Sequence, residues 1–160
     1  MAETMRQQRQ AGFLMAKIRQ VAGRILERML KDSNVEISSA QGRIMFALWQ
    51  QDGVSINELS KKTQLKNSTL TSMLDRLEKM GYIRRQRSKK DRRKILLERT
   101  NKDKNLESEY VRLSQEHTKL FYHGFSEDQV DRFEKDLERI LNNLMEHESS
   151  AGGMERRFKA

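Results

Sequence analysis

Three capping boxes punctuate this sequence: Ser38 with Gln41, Ser55 with Glu58, and Ser126 with Gln129. In each, the serine hydroxyl can accept the backbone N–H three residues on while the longer side chain reaches back, which marks a helix start and not just a helix-friendly composition. Apolar residues follow each box at helical spacing. Ile44, Met45, Leu48 and Trp49 come after the first, and Ile56, Leu59 and Leu65 after the second. Phe133, Leu137, Ile140, Leu141 and Leu144 come after the third, where Phe125 and Val130 are placed as a hydrophobic staple. A fourth stripe, Leu14, Ile18, Val21, Ile25 and Met29, predicts a long amphipathic helix from Phe13 to Leu30. The 160 residues contain no proline to interrupt these patterns, so helix should dominate.

Between the second and third boxes the pattern changes. The first boxed helix ends near Asp52-Gly53, and Val54-Ser55-Ile56 is too short to read as an element. A short helix from Ile56 to about Thr63 and a turn around Gln64-Leu65 lead to a second helix, with Leu70, Met73, Leu74 and Leu77 on one face and Gly81 as its left-handed cap. Its other face is Asn67, Ser68, Thr69, Thr71, Ser72, Asp75, Arg76 and Lys79. Ser, Thr and Asn lower helix propensity, so something besides helix stability selects them. Tyr82 to Arg87 and Lys94 to Thr100 are β-compatible and flank a charged tip, predicting a hairpin. A further helix runs from Asn101 to about His123, with Leu106, Tyr110, Leu113, His117 and Leu120 as its stripe and Gly124 as its end. The segment from Ser149 onward, with Gly152-Gly153, reads as a loose tail.

Charge separates this middle region from the rest. From Lys61 to Lys104 there are sixteen Lys and Arg against five acids, a surplus of eleven, whereas the whole chain carries +9 and the remainder is therefore −2. A basic block in a nearly neutral chain fits a polyanion partner, because each cation that neutralises a phosphate releases counterions; the alternative is a solvated basic face. The chain lacks cysteine, which excludes disulfides, thiol redox sensing and Cys-ligated zinc. His117, His123 and His147 lack metal-site spacing, and no phosphate loop or nucleophile triad is present, so no metal, cofactor or enzymatic activity is expected. No apolar run reaches the ~20 residues that a membrane span needs, and the segment from Met1 to Gln10 is polar, which predicts a cytoplasmic protein with no membrane partner.

Helix, tight turn, helix and basic hairpin in that order describe a winged helix-turn-helix. The second helix of such a pair can enter a major groove about 12 Å wide, with the hairpin lying along the phosphate backbone. The residues expected to touch DNA are Lys66, Asn67, Ser68, Thr69, Thr71, Ser72 and Arg76 on the helix. On the wing they are Arg87, Lys89, Lys90, Asp91, Arg92 and Arg93. The hairpin from Arg84 to Lys94 holds eight basic residues against one acid, a density that self-repels without a counter-charge.

The sequence resembles the MarR family of bacterial and archaeal transcription regulators. The resemblance rests on Asp91-Arg92-Arg93 at the wing tip, Ser55-Ile56-Asn57-Glu58-Leu59 at a helix start, and Asn67-Ser68-Thr69-Leu70-Thr71 with Leu74-Asp75-Arg76-Leu77-Glu78 in the recognition helix. Gly81-Tyr82-Ile83 leads into the wing. By motif it covers roughly Ile37 to Thr100. It implies a mostly α fold with a small β-hairpin wing. Residues 1–36 would form an N-terminal dimerisation helix, 37–100 the DNA-binding domain, 101–148 C-terminal dimerisation helices and 149–160 a flexible tail. It further implies a homodimer on a pseudo-palindromic double-stranded operator, a repressor released by a small aromatic or anionic effector, with Arg93 in the minor groove, Arg92 on the backbone and Asp91 steadying the wing through an arginine pair. The alternatives are an architectural DNA-binding protein with no effector, or a protein docking scaffold. Four positions depart from the family pattern. Lys66 replaces a small capping residue, which would pass the cap to Asn67. Gln64 replaces a turn glycine, Arg99 an apolar strand residue, and Asp103 a glycine at the wing exit.

Overall fold

The computed structural model describes residues 9–157. Six helices and one three-stranded antiparallel sheet occur among them: α1 (Ala11–Asp32), α2 (Ser39–Gln50), β1 (Val54–Ser55), α3 (Ile56–Thr63), α4 (Asn67–Lys79), β2 (Ile83–Arg87), β3 (Ile95–Arg99), α5 (Asp103–Phe121) and α6 (Glu127–Arg157). No described helix is long and apolar enough to cross a membrane. The chain divides into two units, Met1–Thr118 and Lys119–Ala160.

The capping boxes form as the sequence requires. Ser38 accepts the Gln41 N–H at 3.2 Å while Gln41 Oε1 accepts the Ser38 N–H at 3.0 Å, and Ser55 with Glu58 does the same at 3.2 and 2.7 Å. In the second unit Ser126 and Gln129 complete the third box. Gly81, at φ +81°, closes α4, with the Tyr82 N–H returning to the Leu77 carbonyl at 3.0 Å.

The core of the first unit is built where α2, α3, α4 and the sheet meet. Ile44, Met45, Leu48, Leu59, Leu70, Leu74, Leu77 and Leu97 are fully buried, with Leu106, Tyr110 and Leu113 of α5 beside them. Leu30 is the residue of α1 that joins this core fully; Ile18, Val21 and Ile25 of the same stripe are exposed. In the second unit the stripe of α6, including Ile140, Leu141 and Leu144, is exposed as well.

Three expectations need correction. Val54-Ser55 is a strand: Val54 pairs with Leu97 and Ser55 with Leu96, giving the sheet order β1-β3-β2. Two ladder residues suffice because β3 already presents a free edge. The capping role does not pass to Asn67. Lys66 occupies the N-cap of α4 without a side-chain bond, and the Asn67 amide instead bonds Asn57 at 3.1 Å. The last helix also runs on to Arg157 through the start of the expected tail, since each residue added to an existing helix gains a backbone hydrogen bond with no new nucleation cost. Residues 158–160 of that tail lie outside the described residues.

Candidate nucleic-acid interface

Seven side chains of α4 and its cap were singled out from sequence, and all seven are exposed. Lys66, Ser68, Thr69, Ser72 and Arg76 have no side-chain hydrogen bond or ion pair among the described residues. Thr71 and Asn67 differ. The Thr71 hydroxyl donates to the Asn67 carbonyl at 2.8 Å, and Asn67 Nδ2 donates to Asn57 Oδ1 at 3.1 Å. Asn57, in the first turn of α3, was not expected to belong here. The signal was the family-like helix start, but nothing local says that a residue ten positions upstream will meet Asn67.

The turn between the two helices is held by Gln64 in the left-handed region, φ 55° and ψ 25°. A glycine adopts this conformation freely and a side chain does so at a cost, partly offset here because Gln64 Nε2 donates to the Lys61 carbonyl at 2.8 Å. The Ser60 hydroxyl donates to the Leu65 carbonyl at 2.6 Å, tightening the same turn.

The eight basic residues of the hairpin fall into two sets. Arg84 and Arg85 are committed internally. Arg84 pairs across the strands with Glu98 at 2.9 Å, as their direct register dictates. Arg85 donates to Asp75 at 2.6 Å and to Glu78, and the Glu78 carboxylate also accepts the Arg85 backbone N–H at 3.0 Å. Burial alone would lower the Arg85 pKa, but the two carboxylates outweigh it and hold the guanidinium above its ordinary value. Arg87, Lys89, Lys90, Arg92, Arg93 and Lys94 are exposed, and among the described residues their side chains have no ion-pair partner.

The tip is organised by a buried hydroxyl and a carboxylate. Ser88 Oγ accepts the Lys90 and Asp91 N–H groups at 3.2 and 3.3 Å, and the Ser88 N–H reaches the Lys94 carbonyl at 2.9 Å. Asp91 Oδ1 accepts the Arg93 N–H at 3.1 Å. The expected arginine pair of Asp91 does not form among the described residues: its carboxylate holds the Arg93 backbone N–H and not a guanidinium, because an Asx-type turn puts that N–H within reach of a short side chain. Ser88 was missed, although a serine opening a turn of charged residues is itself a turn signal. Beside the tip, a groove of 450 Å³ runs between the wing and the start of α3, lined by Ser55, Ile56, Asn57, Glu58, Arg93, Lys94 and Ile95. The Ser55 backbone and hydroxyl bonds hold the Glu58 carboxyl below its usual range, and Lys94 and Lys61 add to this.

A second concavity, of 340 Å³, lies between α1, α2 and α5. Arg19, Arg43, Tyr110 and His117 line it, with the Ser39 N–H and hydroxyl at one edge taken by Glu27 at 2.7 and 2.6 Å. His117 Nε2 lies 2.9 Å from the Ala22 carbonyl, to which it donates.

Residues 37–95 match the model of the MarR family. Among curated proteins, the chain is 34% identical over 71 residues to the HTH-type transcriptional regulator TtmR of Methylorubrum extorquens, spanning 44% of this chain and 36% of that regulator. It is 26% identical over 104 residues to the HTH-type transcriptional regulator SarZ of Staphylococcus haemolyticus, 65% of this chain and 69% of that protein. The match to TtmR thus covers about a third of its length. Among solved structures, a mutant MarR from E. coli complexed with operator DNA superposes with a TM-score of 0.73 and 25% identity, covering 81% of this chain and 92% of that one.

Proposed function

We propose that this chain, whose residues 37–95 match the MarR family model, is a winged-helix transcription regulator of that family binding a pseudo-palindromic double-stranded operator as a homodimer. The observation that carries the reading is the division of the wing's cations. Arg84 and Arg85 are spent on anchoring the wing to Glu98, Asp75 and Glu78, while six neighbours from Arg87 to Lys94 are left exposed without internal counter-charge. The phosphate backbone supplies that counter-charge. Arg93 enters the minor groove, Arg92, Lys89 and Lys90 lie on the backbone, and Ser68, Thr69, Ser72 and Arg76 of α4 face the major groove. Asn67 is braced by Asn57 and contributes to the shape of the helix start more than to base readout.

The dimer reading is supported by the apolar faces that a single chain leaves exposed, on α1 in the first unit and on α6 in the second. The protein acts as a cytoplasmic repressor, and its effector is a small aromatic anion seated in the α1–α2–α5 concavity, where Arg19 and Arg43 supply charge and Tyr110 an aromatic wall. That concavity favours an effector-responsive regulator over a purely architectural DNA-binding protein.

Selection of duplexes from random DNA, followed by titration of the enriched duplex over a range of salt, tests the reading. Enrichment of an inverted repeat and a steep linear fall of log K with log salt are expected. No enrichment, or a flat salt plot, would contradict it. Thermal shift with salicylate, run beside duplex release, tests the effector: stabilisation together with release is expected, and stabilisation without release contradicts it.

A further inference from the structure

Two of the positions where this chain departs from the family pattern, Arg99 and Asp103, are partners. Asp103 opens α5 and is 1% exposed. Its carboxylate accepts Arg99 Nε at 2.7 Å and Arg99 Nη2 at 3.3 Å, and on the Oδ2 side also the Trp49 indole N–H at 3.1 Å. Arg99 ends β3, and its guanidinium reaches Glu107 of α5 as well. Trp49, in α2, rests against Tyr110 of α5 with ring centroids 5.4 Å apart. One buried carboxylate thus joins the end of the wing strand to two helices of the first unit.

Burying a carboxylate costs several kcal/mol unless it is paired and hydrogen-bonded, and well-packed apolar residues usually serve stability as well. A function other than stability accounts better for the arrangement. The wing is a lever rooted at this point. Arg93 is six residues from Arg99, about 20 Å of extended chain at ~3.3 Å per residue, so a tilt of about 5° at the root displaces the tip by nearly ~2 Å. That exceeds what a hydrogen bond to a groove tolerates.

We propose that Asp103 is a positioning residue for DNA binding, fixing the angle of the wing by holding Arg99 and Trp49 on one carboxylate. The inference rests on the reading that the wing tip contacts DNA. If Asp103 acts through the wing, what its loss costs is contact by the wing tip, Arg93 foremost, so its effect shrinks once Arg93 is gone. A merely structural role gives losses that add.

The test is a double-mutant cycle on the full-length protein, using a duplex that it selects from random DNA, with fluorescence anisotropy at fixed salt and a thermal melt of every variant. Asp103→Asn keeps an acceptor for Trp49 and removes the charge. It should weaken binding by about tenfold and lower the salt slope by about one, as Arg93→Ala does, while the double variant binds within about twofold of Arg93→Ala alone. Should Asp103→Asn melt below the assay temperature, Trp49→Phe decides by the same cycle, because it keeps an aromatic ring at this position while losing the donor and part of the indole's volume. Undiminished affinity in the Asp103 variant beside a weakened Arg93→Ala, or losses that add, overturns the proposal. Undiminished affinity in Arg93→Ala removes the wing reading and the proposal together.

Discussion

Arg85 of β2 reaches back to Glu78 of α4, meeting its carboxylate with both the guanidinium and the backbone N–H. With Asp75 on the second terminal nitrogen, three contacts lock the first strand of the wing to the helix proposed to read the major groove. The helix and the hairpin are thereby held to each other through Asp75 and Glu78, neither of which is among the side chains proposed to touch DNA.

Replacing Arg85 by Ala should uncouple them. The pairs are partly exposed, each worth roughly 0.2–1 kcal/mol, so global stability should fall by only about 1 kcal/mol while duplex affinity falls by about tenfold. Urea unfolding and anisotropy on the same preparation check this. A loss of stability without loss of affinity would show the clamp to be structural only.

Gln64 is strained where a glycine would not be, at φ 55°. Gln64→Gly should therefore stabilise the protein by about 0.5–1 kcal/mol, net of the lost bond to the Lys61 carbonyl and the greater freedom of the unfolded glycine. A lower midpoint in chemical denaturation would mean that the side-chain bond outweighs the strain.

Alkaline pH should weaken the fold through tyrosine. Burial, and then the hydrogen bond to Glu36 at 2.7 Å, push the Tyr82 hydroxyl up to about 12. Because the folded value lies above the unfolded one near 10, the stability carried by neutral Tyr82 is fully present below pH 10 and lost as pH rises toward 12. Tyr82→Phe should flatten part of the fall in unfolding free energy between those values. An unchanged slope would remove Tyr82 as its source.

The stripe on α1 carries the dimer prediction. Ile18 is 42% exposed and Val21 46%, on a helix face that amphipathic patterning reserves for burial. Val21→Arg should convert the dimer to monomer at micromolar concentration in sedimentation velocity. A persistent dimer would place the interface elsewhere.

Local physics was legible in the sequence and long-range pairing was not. The three capping boxes, Gly81 and the buried faces of α2 and α4 follow from signals spanning four to eight residues, and each formed. The strand Val54-Ser55 was too short to read because a two-residue ladder exists only through its partner β3. The same holds for Asn57 with Asn67 and for Arg85 with Asp75. Arg99 and Asp103 were visible as departures from a pattern, yet their pairing with each other and with Trp49, more than fifty positions away, needed the fold. The stripe of α1 was read correctly as amphipathic, but a single sequence does not tell whether its apolar face meets its own chain or another.

The central claim is that the exposed cations of the wing bind DNA, and Arg93 tests it most directly. Titration of a selected duplex with the parent protein and with Arg93→Ala, at one salt concentration, should show a loss of about 1–3 kcal/mol in binding free energy with no change in melting temperature or dimer content. Equal affinities for the two proteins would contradict the account.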